Sequence, residues 1–163
     1  MSGLVQVYYG GGKGKSTAAL GRAVRGVSQD GMNVFIIQFM KFRTSAEQEY
    51  LRRLEPEIKI FRFEKSDEDY TDLDDQEKLE EIQNIKNGIN FAKKVLTTDE
   101  VDMLILDEIL GLVDNKIISL EDLIALIKLK PDSMTLLLTG LKMVDGLYDF
   151  VDNVYNIKSE KGI

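Results

Sequence analysis

Eight consecutive residues hold the densest chemistry in this sequence: Gly10, Gly11, Gly12, Lys13, Gly14, Lys15, Ser16 and Thr17. Glycines let a backbone curl until several N–H groups point inward, and a helix starting at Gly-Lys-Ser adds the positive end of its dipole, so the run can grip phosphate. Lys15 would bring an ammonium group to the phosphates, and the Ser16 hydroxyl would offer an oxygen to magnesium. A second cluster, Asp107-Glu108, follows the apolar run Val101 to Leu106 at once. That is where a phosphate-loop protein keeps the carboxylate that helps to hold Mg²⁺. Adjacent carboxylates repel unless a cation sits near them. Taken alone, the pair reads equally as an exposed acidic turn. Thr139-Gly140 closes another apolar run and would bring a hydroxyl to the same crevice, or simply make a turn.

The glycine loop is one residue tighter than the standard G-x-x-x-x-G-K spacing. Counted from Gly10, only Gly11, Gly12 and Lys13 precede Gly14, and the standard spacing would put Tyr9 first. The signal for phosphate is therefore specific, while the reaction stays open.

These residues need a scaffold, and the hydrophobic pattern supplies one. Leu4 to Tyr9 reads as a buried strand entering the loop, and Lys15 to Gln29 as a helix stopped by Asp30-Gly31. Val34 to Phe39 is an unbroken apolar run, typical of a parallel strand covered on both faces. Ser45 to Leu54 predicts a short helix, Ile58 to Phe63 a third strand, and the acidic stretch Glu64 to Asp75 a loop. Leu79, Ile82, Ile85, Ile89 and Val95 mark the buried side of a helix from about Asp75 to Leu96, with Glu80, Glu81 and Lys86 on a solvated face. After the strand Val101 to Leu106, Ser119 and Asp122 make a capping box for a helix to about Lys130. Met134 to Leu138 is a buried strand, Val144 to Phe150 a short helix, and Asn153 to Ile157 a last strand. Strands alternating with helices predict an α/β fold, a P-loop NTPase (RecA-like) three-layer sandwich with a mostly parallel central sheet. The ligand belongs at the carboxyl ends of the strands. No linker or repeat divides the chain, so residues 1–163 read as a single P-loop nucleotide-binding domain.

Composition narrows the chemistry. The sequence has no histidine and no cysteine, which excludes imidazole acid–base catalysis, disulfides and thiolate metal sites; any metal must sit on oxygen. A net charge of −7 argues against a nucleic-acid surface. No signal peptide or membrane-length apolar run is visible, so no membrane partner is expected and the cytoplasm is the expected compartment.

The short loop GGGKGKSTAALG, Arg25 on the following helix, VFIIQFMK, LILDEI, TLLLTG and the closing IKSEKGI occur in the same order, from Val5 to Ile163, as in one family. With these motifs the chain resembles the corrinoid (cob(I)alamin) adenosyltransferases of the CobA/CobO/BtuR type. The resemblance implies transfer of the 5′-deoxyadenosyl group of MgATP to a reduced Co(I) corrinoid, with release of triphosphate. ATP is then the co-substrate, Mg²⁺ its metal and the corrinoid the second substrate, in a homodimer. Co(I) is nucleophilic enough to need no protein base, so no residue acts as catalytic acid or base. The protein's task is positioning and charge neutralisation. By position, Gly12, Lys13, Gly14, Lys15, Ser16 and Thr17 match the family's phosphate loop, with Gly10 and Gly11 before them. Ser16 with Glu108, and Asp107 beside it, would hold the metal. Arg25 matches an arginine near the phosphates, Gln38 and Lys41 a strand-end Gln-Phe-x-Lys motif, and Tyr70 the tryptophan of a corrinoid-facing aromatic pair.

The sequence also departs from that pattern. Gly11 stands where the family has Asn, Leu141 where Thr-Gly is followed by Arg, and Glu68 where the aromatic pair has Phe. A Lys-His-Pro segment has no counterpart before Ile157, and the sequence opens at its first strand, where the family has a helical extension. The alternatives are a protein of this fold that binds ATP without corrinoid activity, and an ATPase. Tight MgATP binding without corrinoid-dependent turnover marks the first, and ADP and phosphate in place of triphosphate mark the second.

Overall fold

The computed structural model describes residues 2–12, 14–40 and 46–162. The apolar runs become six strands: β1 (Val5–Tyr9), β2 (Val34–Gln38), β3 (Ile58–Arg62), β4 (Met103–Asp107), β5 (Thr135–Gly140) and β6 (Asn153–Asn156). They form one sheet in the order β3-β2-β4-β5-β1-β6, and all five pairings are parallel. Parallel neighbours require crossover connections. These carry α1 (Gly14–Asp30), α2 (Ala46–Leu51), α3 (Asp75–Thr98), α4 (Ile109–Asp114) and α5 (Leu120–Lys128).

Alternation along the strands builds two cores, one on each face of the sheet. Met103 and Ile105 of β4 join Ile36 of β2 and Leu137 of β5 against Ala19 and Ala23 of α1. Leu104 and Leu106 join Ile37, Leu136 and Leu138 on the opposite face, with Ile85 of α3 and Leu123 of α5. Small alanines on α1 allow that helix to lie close to the strands, which brings its first turn beneath the glycine loop. The result is the expected three layers.

Helix ends follow their local chemistry. Ser119 accepts from the Asp122 amide and Asp122 returns the bond, the capping box read from the sequence. Asp74 and Glu77 make a second box at the start of α3. Gly31, in the left-handed region at φ +64°, ends α1. The helix expected over Ser45 to Leu54 is α2 followed by a 3₁₀ turn at Arg52–Leu54; Ser45 lies outside the described residues.

Four expectations need correction. Glu81 is not on a solvated face: it is 6% exposed, and one carboxylate oxygen accepts from the Lys65 amide and from Asn84 Nδ2, each at 3.0 Å. Leu79 is not on the buried side; it is 63% exposed. The buried stripe of α3 runs through Glu81, Ile85, Gly88, Ala92 and Val95, and Leu79 sits about 200° around the helix from Glu81. The Val144 to Phe150 helix shrinks to a 3₁₀ turn at Tyr148–Phe150, because Gly146 takes φ +86° in the middle of it. The Glu64 to Asp75 loop contains another such turn, Tyr70–Asp72, capped by Asp69. One helix went unread. Ile109, Leu110 and Leu112 of α4 are all fully buried, so its short sequence shows no polar face and no helical period.

Candidate phosphate and metal site

The strand order decides which ends meet. β5 lies between β1 and β4, so Thr139 stands between the glycine loop after β1 and the acidic pair after β4. Thr139 is fully buried, and its hydroxyl donates to Asp107 Oδ1 at 2.7 Å. The same Thr139 oxygen accepts from the Glu108 amide at 2.8 Å. From the first turn of α1, Ser16 Oγ donates to the same Asp107 oxygen at 2.9 Å. One carboxylate oxygen therefore ties three segments together.

Glu108 adopts the left-handed conformation, φ +65°, which turns the chain from β4 straight into α4. Its carboxylate meets Lys15, with Nζ 3.0 Å from Oε1, and both side chains are mostly buried. Lys15 also donates to the Gly12 carbonyl at 3.4 Å. The two acidic residues thus divide the work: Asp107 holds Ser16, and Glu108 holds Lys15. Ser16, Asp107 and Glu108 offer only oxygen, the donor set that suits Mg²⁺, which keeps waters and shares one or two carboxylates with phosphate oxygens. Among the described residues there is no group of three or more acidic side chains to form an all-protein cage.

The glycines differ in their reasons. Gly10 donates to the Gly140 carbonyl at 3.1 Å, and a Cβ on it would overlap the Ile157 carbonyl oxygen. A Cβ on Gly14 would press on Ile157 Cγ2 at 2.9 Å. Ile157 itself donates its amide to Tyr9 at 2.7 Å, so the segment after β6 backs the loop. A Cβ on Gly11 or Gly12 would meet nothing within 4 Å, so both border open space.

The remaining candidates are distributed around this centre. Thr17 follows Ser16 and lines an open groove of about 780 Å³ beside α1, shared with Tyr8, Arg22 and the exposed Arg25. Arg22 was not singled out in the sequence, although its spacing from Arg25 puts both on one helical face. Gln38 ends β2, in register with Asp107 on one side and Arg62 on the other. Tyr70 is half-buried in the turn after the edge strand β3, with Lys78 Nζ 5.6 Å from its ring centroid. Three strands separate β3 from β1, so the structure does not bring Tyr70 to the phosphate loop. Lys13 and Lys41 lie outside the described residues.

A buried carboxylate that sequence reasoning passed over completes the surroundings. Glu64, two residues past β3, is 8% exposed, and its Oε1 accepts from the Met40 amide at 2.7 Å. Burial pushes its carboxyl up to about 7, and nearby Glu81 adds to the rise, against the lowering by the Met40 bond and Arg62. The only hint in the sequence was an acidic residue directly after a strand, the same position that drew notice at Asp107.

Comparison with known proteins bears on this geometry. The family model for ATP:corrinoid adenosyltransferase BtuR/CobO/CobP matches residues 1–162. A corrinoid adenosyltransferase of Escherichia coli (strain K12) is 28% identical over 159 residues, covering 98% of this chain and 78% of the relative. The corrinoid adenosyltransferase of Pseudomonas aeruginosa is 26% identical over 173 residues, covering 99% and 83%. Among solved structures, a KaiC-like protein from the hyperthermophilic archaeon Pyrococcus horikoshii OT3 superposes with a TM-score of 0.61 at 19% identity, over 99% of this chain and 76% of that one. At that identity the likeness concerns the fold alone, and the fold is the RecA-like one.

Proposed function

The chain belongs to the ATP:corrinoid adenosyltransferase family, and from that premise we propose how its own residues perform the transfer. The activity is ATP-dependent adenosyl transfer to a corrinoid, with ATP as co-substrate. Reduced Co(I) attacks the ribose 5′ carbon; a Co–C bond forms, the C5′–O bond breaks, and the electron pair leaves with the triphosphate. The barrier is then lowered chiefly by alignment and by neutralising the departing polyanion.

Lys15 and the amides of the loop from Gly10 to Thr17, with Lys13 among them, receive the phosphates. Arg25, at the far end of the groove that starts at Thr17, adds positive charge to that side. Ser16 and Glu108, with Asp107 beside them, would hold Mg²⁺, which would supply charge withdrawal from the phosphate oxygens. Gln38, at the end of β2, would meet the substrates together with Lys41 of the same sequence motif, and Tyr70 would face the corrinoid. The observation that most supports this reading is the pairing of Lys15 with Glu108 and of Ser16 with Asp107, between the first turn of α1 and the end of β4, in a chain matched to the family over residues 1–162.

We read the assembly as a homodimer and the compartment as the cytoplasm; among the described residues no helix is long and apolar enough to cross a membrane. The test is incubation with ATP, Mg²⁺ and chemically reduced corrinoid. Adenosyl-corrinoid and inorganic triphosphate in equal amounts are expected. ADP and phosphate in their place would make it an ATPase, and tight MgATP binding without either product would make it a binding protein of this fold.

A further inference from the structure

We propose that Glu64 is a positioning residue for the nucleotide and metal side of the site, acting on Glu108 through Met40. The proposal rests on the reading above only in taking MgATP as the ligand.

Three links carry it. The first is the 2.7 Å bond from the Met40 amide to Glu64 Oε1. Met40 is in the left-handed region at φ +59°, a conformation disfavoured for an unbranched side chain unless something holds it. The buried carboxylate is that restraint. The second link is the Met40 side chain. A Cβ built on Gly111 would stand 3.6 Å from Met40 Cγ and 3.7 Å from Glu108 Oε2, so Met40 and the Glu108 carboxylate flank the same bare stretch of α4. The third is backbone: the Phe39 amide donates to the Asp107 carbonyl at 2.9 Å, so the turn that Glu64 fixes is pinned on its other side to the acidic pair. Moving Met40 therefore changes the packing around Glu108, and Glu108 holds Lys15.

Glu64 has no role in the direct chemistry. It lines a cleft of about 500 Å³ along β3 whose walls do not include Glu108, Lys15 or Ser16. The charged groups facing it are Arg62 at the end of β3 and Glu81 from α3. Around the cleft stand Glu49, Arg52 and Glu55 before β3, and Lys65 and Asp67 after it. Its bond to Met40 is strongest when the carboxyl is ionised, since a charge-assisted acceptor holds an N–H more firmly than a neutral one. Burial opposes that ionisation and brings the change of state into the neutral range.

The experiment is calorimetric MgATP binding from pH 5.5 to 8.5 by the full chain, Glu64→Gln, Met40→Gly and the double variant. Titration of the nucleotide itself cancels in the ratio of variant to wild-type affinity. Glu64→Gln keeps an acceptor of the same shape, so at the acid end its affinity should equal that of the wild type. Above pH 7 it should be about three- to tenfold weaker, the range by which neighbouring groups couple. In the Met40→Gly background, where the side chain next to Glu108 is gone, Glu64→Gln should change nothing further. A Glu64→Gln ratio flat across pH, or a full Glu64→Gln effect persisting without the Met40 side chain, would overturn the proposal. Normal wild-type MgATP affinity without adenosyl-corrinoid formation would instead count against the adenosyltransferase reading and leave the Glu64 result standing on its own.

Discussion

Lys15 Nζ lies 3.0 Å from Glu108 Oε1, a contact that makes the cation proposed for phosphate and the carboxylate proposed for the metal each other's counter-ion. Both side chains are largely removed from water, so each needs a partner: a charge buried alone is expensive. Bound substrate would exchange that partner for a better one on each side, Mg²⁺ for the carboxylate and phosphate for the ammonium. The pair thus keeps the site charged and preorganised.

Lys15→Ala should weaken MgATP binding and turnover together, by about 10- to 100-fold, the worth of a hydrogen bond to a charged group. Calorimetry and steady-state kinetics check this. Unchanged affinity would put the phosphates elsewhere.

Glu108→Gln should raise the Mg²⁺ concentration needed for half-maximal turnover while leaving the fold intact. A Mg²⁺ titration that superposes on the wild type would remove Glu108 from the metal site.

Thr139→Val removes both a donor to Asp107 and an acceptor for the Glu108 amide from a fully buried position. Taking the acceptor from the buried Glu108 amide, while Asp107 keeps its bond from Ser16, should cost about 1–3 kcal/mol in urea unfolding, with a parallel loss of Mg²⁺ sensitivity. A stability equal to the wild type would mean that water replaces the hydroxyl.

Glu64 gives the pH dependence. Its folded-state carboxyl is raised from the ordinary 4.5 to about 7, so the folded chain binds the proton more tightly than the unfolded chain. The stability this provides is complete below about pH 4.5 and is lost as pH rises through 7. Glu64→Gln should therefore be more stable than the wild type at pH 8, by up to about 3 kcal/mol, and indistinguishable near pH 4. Urea unfolding at the two pH values measures the difference. The same ionisation that costs global stability strengthens the local hold on Met40.

Tyr70→Ala should alter only corrinoid use. The residue sits in the turn after β3, three strands from the glycine loop, so MgATP affinity by calorimetry should match the wild type. A loss of ATP binding would contradict that division of labour.

The sheet and phosphate loop were legible because each had a local signal. Continuous apolar runs such as Val34 to Ile37 can hardly be placed except between two helical layers, and Gly14-Lys15-Ser16 between a strand and a helix has few other uses. Ser119 with Asp122 marked its helix start in the same local way. What stayed hidden depended on partners distant in sequence. Glu81 looks like any solvated helix charge until the Lys65 amide arrives beside it. Glu64 gains its meaning from Met40, 24 residues away. The division of roles at Asp107 and Glu108 likewise needed the register that sets Thr139 between strands. Arg22 was missed for a simpler reason: a helix arginine is ordinary until its neighbour Arg25 is seen to line the same groove.

Because the Ile157 carbonyl occupies the space where Gly10 would otherwise carry a side chain, the last strand and the nucleotide loop are mechanically one piece. Any graft, label or clipping introduced near residues 153–157 would be felt at the loop as a change in its curvature. That stretch is therefore a handle for reporting ligand occupancy from outside the crevice, and a poor place for an affinity tag.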